Sequence, residues 1–205
     1  MSYRLGGDWP ISEVPSGTNL MISGPPMTGK YELMHEILTL DEDNVVVIST
    51  NDPERKIAID YESIDSQQFG IIDCVSKYQG LDADDSENRK FIASPKNLTR
   101  IGVAFTDFYS KWEQEPTRVG LDSLSNLLMY SDLKHVYKFI QVMTGQIFNA
   151  KWISVMTYDH SMHDEQTNHT LQDPFDGLIE TREDNGSREF RIRGLEPGST
   201  EWITF

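Results

Sequence analysis

The sequence predicts an α/β fold: a mainly parallel sheet flanked by helices, with a C-terminal antiparallel hairpin. Three observations carry this expectation. Short apolar runs alternate with longer amphipathic segments from Asn19 onward, the pattern of strands joined by helices. "NVVVIST" is apolar throughout, as a strand buried on both faces must be. Near the end, "DNGS" separates two strand-like segments, and Asn-Gly supplies the positive φ angles of a tight hairpin.

The elements follow in order. Asn19 to Ser23 is the first strand and runs into a glycine-rich loop. "GKYELMHEILTL" places Leu33, Met34, Ile37 and Leu38 on one helical face. "NVVVIST" and "GIIDCVS" are the next strands, and the polar "LDADDSENRK" reads as an exposed loop. Apolar spacing predicts a helix from Ile101 to Trp112, with Ser94 or Thr99 as cap candidates and Pro116 as its breaker. "TRVGLDSLSNLLMY" begins as a strand and turns into helix, and the next segment is a helix carrying Val136, Phe139, Ile140 and Met143. "KWISVMTYD" is a strand, "YDHSMHDEQTNH" reads as a mobile loop, and "GLIETRED" with "REFRIRG" forms the hairpin.

At 205 residues the chain fits one domain with its own core, so residues 1–205 are expected to form a single domain. The net charge of -15 disfavours free nucleic acid as a partner. Acidity has two readings, a solubilising surface or adaptation to concentrated salt. A lone cysteine, Cys74, excludes an internal disulfide, and no run approaches the length of a membrane span, so a cytoplasmic protein without membrane insertion is expected.

The chemistry concentrates at "GPPMTGKY". Gly24, Pro25, Pro26, Met27, Thr28, Gly29, Lys30 and Tyr31 meet the phosphate-loop pattern G-x-x-x-x-G-K-[ST] except at the last position. A loop between strand and helix aims backbone N–H groups at phosphate, and Lys30 adds a full positive charge. Tyr31 stands where a short hydroxyl residue helps hold Mg²⁺. Asp122, at the expected carboxyl end of its strand, is a candidate metal partner or, alternatively, a helix N-cap.

These segments, with "VVVISTNDPER", "RVGLDSLSNLL", "WISVMTYD", "FDGLIE" and "FRIRGLEP", occur in the order and at about the spacing of a KaiC-like or RecA-superfamily ATPase domain. The resemblance covers almost the whole chain and extends more narrowly to haloarchaeal HTR-like RecA-type proteins. It implies a RecA-like P-loop NTPase core, with ATP and Mg²⁺ at the carboxyl ends of the strands and often between neighbouring subunits. It places Asn51 and Asp52 where such domains carry a glutamate pair that polarises water. Asp52 is thus a candidate base, although "NDPE" also reads as a simple turn. It also makes Arg191 and Arg193 candidates for touching a neighbour's nucleotide, with solvated strand arginines as the alternative, and puts Thr157 at a γ-phosphate-sensing position. His160, His163 and His169 match no zinc spacing.

Two functions follow: an ATP-binding regulatory switch or assembly factor with slow hydrolysis and an unknown protein partner, or a degenerate module that binds nucleotide without hydrolysing it. Recombinase-like DNA handling fits poorly, because no basic stripe with interleaved aromatics is visible. If the acidity is salt adaptation, thermal stability rises as KCl approaches molar concentration. A melting temperature that stays flat or falls across a KCl series excludes that reading.

Overall fold

The computed structural model describes residues 1–205. The strands are β1 (Ser2–Arg4), β2 (Glu13–Pro15), β3 (Asn19–Ser23), β4 (Asn44–Ser49), β5 (Phe69–Asp73), β6 (Arg89–Phe91), β7 (Thr117–Asp122), β8 (Ile153–Tyr158), β9 (Gly177–Asp184), β10 (Ser187–Arg193) and β11 (Ile203–Thr204). The helices are α1 (Lys30–Thr39), α2 (Glu54–Asp60), α3 (Leu98–Trp112), α4 (Leu124–Tyr130), α5 (Leu133–Ala150) and α6 (Glu165–Gln172). Nine strands form one sheet in the order β11-β10-β9-β3-β8-β7-β4-β5-β6, parallel from β9 to β6, with β10 and β11 added antiparallel. A separate antiparallel pair, β1-β2, packs beside it.

Alternation along each strand sorts the core into two layers. Val45, Val47, Leu20 and Ile22 face Leu33, Met34, Ile37 and Leu38 of α1, Ile57 of α2 and Tyr3 and Val14 of β1-β2. Val46, Ile48, Met21 and Met156 face the opposite layer, built from Phe105 and Phe108 of α3, Leu127 of α4, Ile140 and Met143 of α5 and Leu171 of α6. Helices on both faces explain why β4 and β8 show no polar alternation. No helix is long and apolar enough to cross a membrane.

Several local expectations are corrected. Asn97, not Ser94 or Thr99, caps α3, its side chain accepting from the Arg100 amide. The "LDADDSENRK" loop ends in an edge strand, since Arg89 and Lys90 belong to β6. The stretch expected to be a mobile loop is ordered: Asp159 caps a 3-10 turn at His160–Met162, and Asp164 caps α6 through the Thr167 amide. Two carboxylates at cap positions turned a run that looked merely polar into helix starts.

Arg118 is wholly buried at the amino-terminal end of β7. Its Nε donates to Asp43 at 2.7 Å and its Nη2 to Asp41 at 2.5 Å. Its Nη1 donates to the carbonyls of Arg4 and Ile37, each at 2.7 Å. The guanidinium also lies 5.3 Å from the Tyr3 ring centroid. One side chain thus fastens β1, the last turn of α1 and the α1-β4 connection to the central sheet. Asp41 is held below the usual carboxylate range, first by hydrogen bonding to Arg4 and then by the Arg118 charge, against the opposing effect of burial. That depression stabilises the fold above the ordinary Asp value and is lost as pH falls through the lower folded value. Arg118→Ala removes the shared partner of two carboxylates and two carbonyls, and is expected to cost about 3 kcal/mol or more in denaturant unfolding. A loss below about 1 kcal/mol would show that the cluster is dispensable.

Candidate functional site

The site forms where β3, β8, β7 and β4 end side by side. Ser23 pairs with Tyr158 and Ser49 with Asp122 in the parallel register, so the residues that follow leave the sheet on one edge. Open α/β sheets offer their ligand crevice at these carboxyl ends.

The loop leaves β3 at Gly24, whose amide donates to the Tyr158 carbonyl at 3.2 Å. A Cβ at Gly24 would lie 1.9 Å from Thr181 Oγ1 on β9, so only glycine lets the loop approach that strand. Thr28 turns inward, its Oγ1 donating to the Pro25 carbonyl at 2.8 Å and sharing a hydrogen bond with Thr181 at 2.7 Å. Gly29 takes φ 82° and starts α1. The first helical bond runs from the Leu33 amide to the Gly29 carbonyl, so the amides of Lys30, Tyr31 and Glu32 have no helical partner. With the positive helix end, they form a concavity suited to anionic oxygen.

Lys30 is partly buried, which its expected phosphate role did not anticipate. Its Nζ donates to the carbonyls of Gly24 and Pro25 at 2.8 and 2.5 Å, holding the ammonium over the loop. Burial lowers its pKa, while Asp159, Asp122 and Glu32 act in the opposite direction.

Tyr31 turns away from the loop. Its hydroxyl donates to Asp60 at the end of α2 at 2.8 Å, and its ring packs against the apolar layer beneath α1. Burial, then the neighbouring Tyr61 and Asp60, push its pKa up.

Asp122 ends β7 nearly buried, with both oxygens engaged: one accepts from Thr157 Oγ1, the other from Asn51 Nδ2 at 2.6 Å. Burial raises its pKa, the two hydrogen bonds lower it, the Asp52 charge raises it and the Lys30 charge lowers it. Asn126 completes the network, donating to the Thr50 carbonyl at 2.9 Å and to Asn51 Oδ1. Ser123, not Asp122, caps α4, so Asp122 is free of the capping role considered as its alternative.

The remaining candidates sit further from this cluster in their bonding. Asp52 pairs with Lys56 at 2.7 Å across one turn at the surface of α2. Arg191 and Arg193 lie on one strand face, as a spacing of two requires. Both bind Glu180 on β9, at 2.5 and 2.9 Å, and Arg191 lies 4.6 Å from the Trp202 ring centroid. The histidines are used separately: His160 Nδ1 meets Ser23 Oγ at 3.1 Å and His163 stacks on Tyr158 at 5.3 Å. No group of three His, Cys, Asp or Glu side chains is arranged to hold a metal ion.

The structure therefore gathers Gly24–Lys30, Asp122, Thr157 and Asn51 at one edge, sends Tyr31 to α2, and engages Asp52, Arg191 and Arg193 in ion pairs of their own. Thr181 and Asn126 were missed from sequence. Asn126 stands four residues after Asp122, a spacing that carries it back over the strand end, but Thr181 has no local signal.

This architecture is shared with solved structures. A KaiC-like protein from the hyperthermophilic archaeon Pyrococcus horikoshii OT3 superposes with a TM-score of 0.67 and 11% identity, over 100% of this chain and 95% of that one. The flagellar accessory protein FlaH from Methanocaldococcus jannaschii superposes with a TM-score of 0.57 and 18% identity, over 94% and 86%. Comparison with curated proteins gives no match. The fold is the KaiC/RecA-like one expected from the sequence. Residues 17–181 match the profile of a family of unknown function, DUF7504, and the chain, whose strand ends and glycine loop fall within that span, belongs to this family.

Proposed function

We propose that residues 1–205 act as one ATP-binding unit of KaiC-like type, a nucleotide-dependent switch or assembly factor in the cytoplasm whose hydrolysis is slow. The observation that carries this reading is the loop itself: unpartnered amides at Lys30, Tyr31 and Glu32 beneath a loop whose lysine ammonium lies over it, beside the buried carboxylate Asp122. The likeness to KaiC-like and FlaH structures supports the reading through the fold. Acidity and the narrower resemblance to haloarchaeal HTR-like proteins fit a protein working in concentrated salt.

Phosphate oxygens would accept from the loop amides and Lys30. Mg²⁺ generally keeps several waters and takes one or two carboxylates besides the substrate phosphates, so the donor set here suits it through Asp122 alone. Bound there, the ion would neutralise charge on the phosphates. Tyr31 cannot add a ligand while its hydroxyl serves Asp60. Thr157 and Asn51 orient Asp122 by hydrogen bonding.

For hydrolysis, Asp52 is the candidate base and would have to leave Lys56. Arg191 and Arg193 are candidates for reaching a neighbouring copy's nucleotide, which requires their release from Glu180. A chain that stays monomeric with ATP rules out the arginine role. The engagement of Tyr31, Asp52 and both arginines elsewhere is what favours the second reading, a module that binds nucleotide without turning it over.

Lys30→Ala is expected to weaken ATP binding at least tenfold by calorimetry in molar KCl, about the 1.5–3 kcal/mol of a hydrogen bond to a charged group. Unchanged affinity would remove the phosphate-loop reading. Tyr31→Thr restores a short hydroxyl at the loop's end. It is expected to raise Mg²⁺-dependent ATP turnover by on the order of a hundredfold, as a few kcal/mol of recovered metal orientation implies. A wild type that already turns over briskly, with no gain in the variant, would show that Tyr31 does not limit the chemistry.

A further inference from the structure

Phe205, just past β11, lies against the glycine that begins α1. A Cβ at Gly29 would be 2.6 Å from Phe205 Cζ and 2.7 Å from its Cε2, so the ring meets the loop through its edge. Arg188 of β10 is part of the same contact: its Cδ would be 3.4 Å from that Cβ, and its Nη1 donates to Glu32 at 2.9 Å. The ring is held in place. The Phe205 amide donates to the Arg188 carbonyl at 3.1 Å, and the ring packs edge-on against Phe190 at 5.6 Å, which in turn lies 4.5 Å from Trp9. Yet Phe205 remains 40% exposed.

Phosphates held on the amides of Lys30, Tyr31 and Glu32 fix where the rest of a nucleotide can go. Towards the sheet, the way is filled by the buried strand ends Ser23, Asp122 and Thr157. The nucleoside must therefore leave across the first turn of α1. Of the two aromatic rings at that turn, Tyr31 is committed to Asp60, whereas Phe205 is pinned and open to solvent.

The geometry points to Phe205, with Arg188 beside it, as the platform on which the base of a bound nucleotide stacks. This rests on the phosphate-loop reading and adds to it the residue that would hold the base of the nucleotide. A fixed aromatic face stacks on a base without reading its edge, and an adjacent guanidinium adds planar, cationic surface to the same patch. Adenine and guanine are then accepted alike, because stacking is tolerant of base identity.

The test compares ATP, GTP and inorganic tripolyphosphate by calorimetry on wild type, Phe205→Ala, Phe205→Leu and Phe205→Tyr. Wild type is expected to bind ATP and GTP similarly, and about tenfold tighter than tripolyphosphate. Phe205→Ala and Phe205→Leu should lose that margin while keeping the tripolyphosphate affinity, and Phe205→Tyr should retain it. The leucine variant preserves an apolar contact on Gly29, so a loss there reports stacking rather than a loosened loop. The platform is overturned if tripolyphosphate binds and Phe205→Ala holds ATP as tightly as wild type does, or more tightly, the latter showing that the ring covers the loop. If neither ATP nor tripolyphosphate binds wild type, the phosphate loop falls and the platform with it.

Discussion

The buried guanidinium of Arg118 is the constraint on which the placement of α1, and so of the loop at its other end, depends. α1 crosses the sheet from the glycine loop to Asp41, and its apolar face can slide along the valine and isoleucine surface below with little directional preference. Arg118 supplies the direction: four hydrogen bonds reach Arg4, Ile37, Asp41 and Asp43 from one planar group. Such a cluster contributes modest net stability, because desolvation offsets the attraction, but it specifies one arrangement. A helix fixed at its carboxyl end presents its amino-terminal amides at one height above the strand ends.

Those strand ends form a second, polar layer over the apolar core. Thr157 and Asn51 satisfy Asp122, Asn126 satisfies Thr50 and Asn51, and Ser125 donates to the Asp159 carbonyl and accepts from the Asp159 amide. Buried polar groups are tolerated only when they are paired, and here each pairing joins strand ends, the residues that follow them, or α4. The carboxylate at the centre is consequently rigid. Departures from a hydrolytic arrangement lie around it rather than in it: a tyrosine turned to α2, a carboxylate paired to Lys56, two arginines sharing Glu180. On the proposed function, this distribution separates holding a nucleotide from cleaving it.

The strand β11 ties the far edge of the sheet to the loop. Trp202, ahead of it, lies 4.1 Å from Arg182 and 4.6 Å from Arg191 as measured from its ring centroid, and Phe205, behind it, touches Gly29. The four residues 202–205 thus contact arginines of β9 and β10 at one end and the start of α1 at the other. On the proposed arginine role, movement of Arg191 toward a neighbouring copy would disturb the packing of Trp202 and so link that contact to the glycine loop.

The sequence by itself determined the elements and the loop. Continuous apolar runs located β3, β4, β7 and β8, the Asn-Gly turn located the hairpin, and 3.6-residue periods located the long helices, because strands buried on both faces and helices buried on one leave those marks locally. The glycine-lysine spacing located the loop, because positive φ and close approach demand glycine whatever the rest of the fold. Short elements escaped: β1, β6, α2 and α6 owe their existence to a neighbouring strand or a single cap, and their few residues carry no period. Only the tertiary structure decided where the side chains of the site point. Tyr31, Asp52 and Arg191 sit in the helix start, turn and strand that the pattern assigns them. Their partners, Asp60, Lys56 and Glu180, are chosen by which elements fold back upon them. Phe205 meets Gly29 across 176 positions of chain, and no local rule connects the two, since contact at that separation is made by sheet order alone.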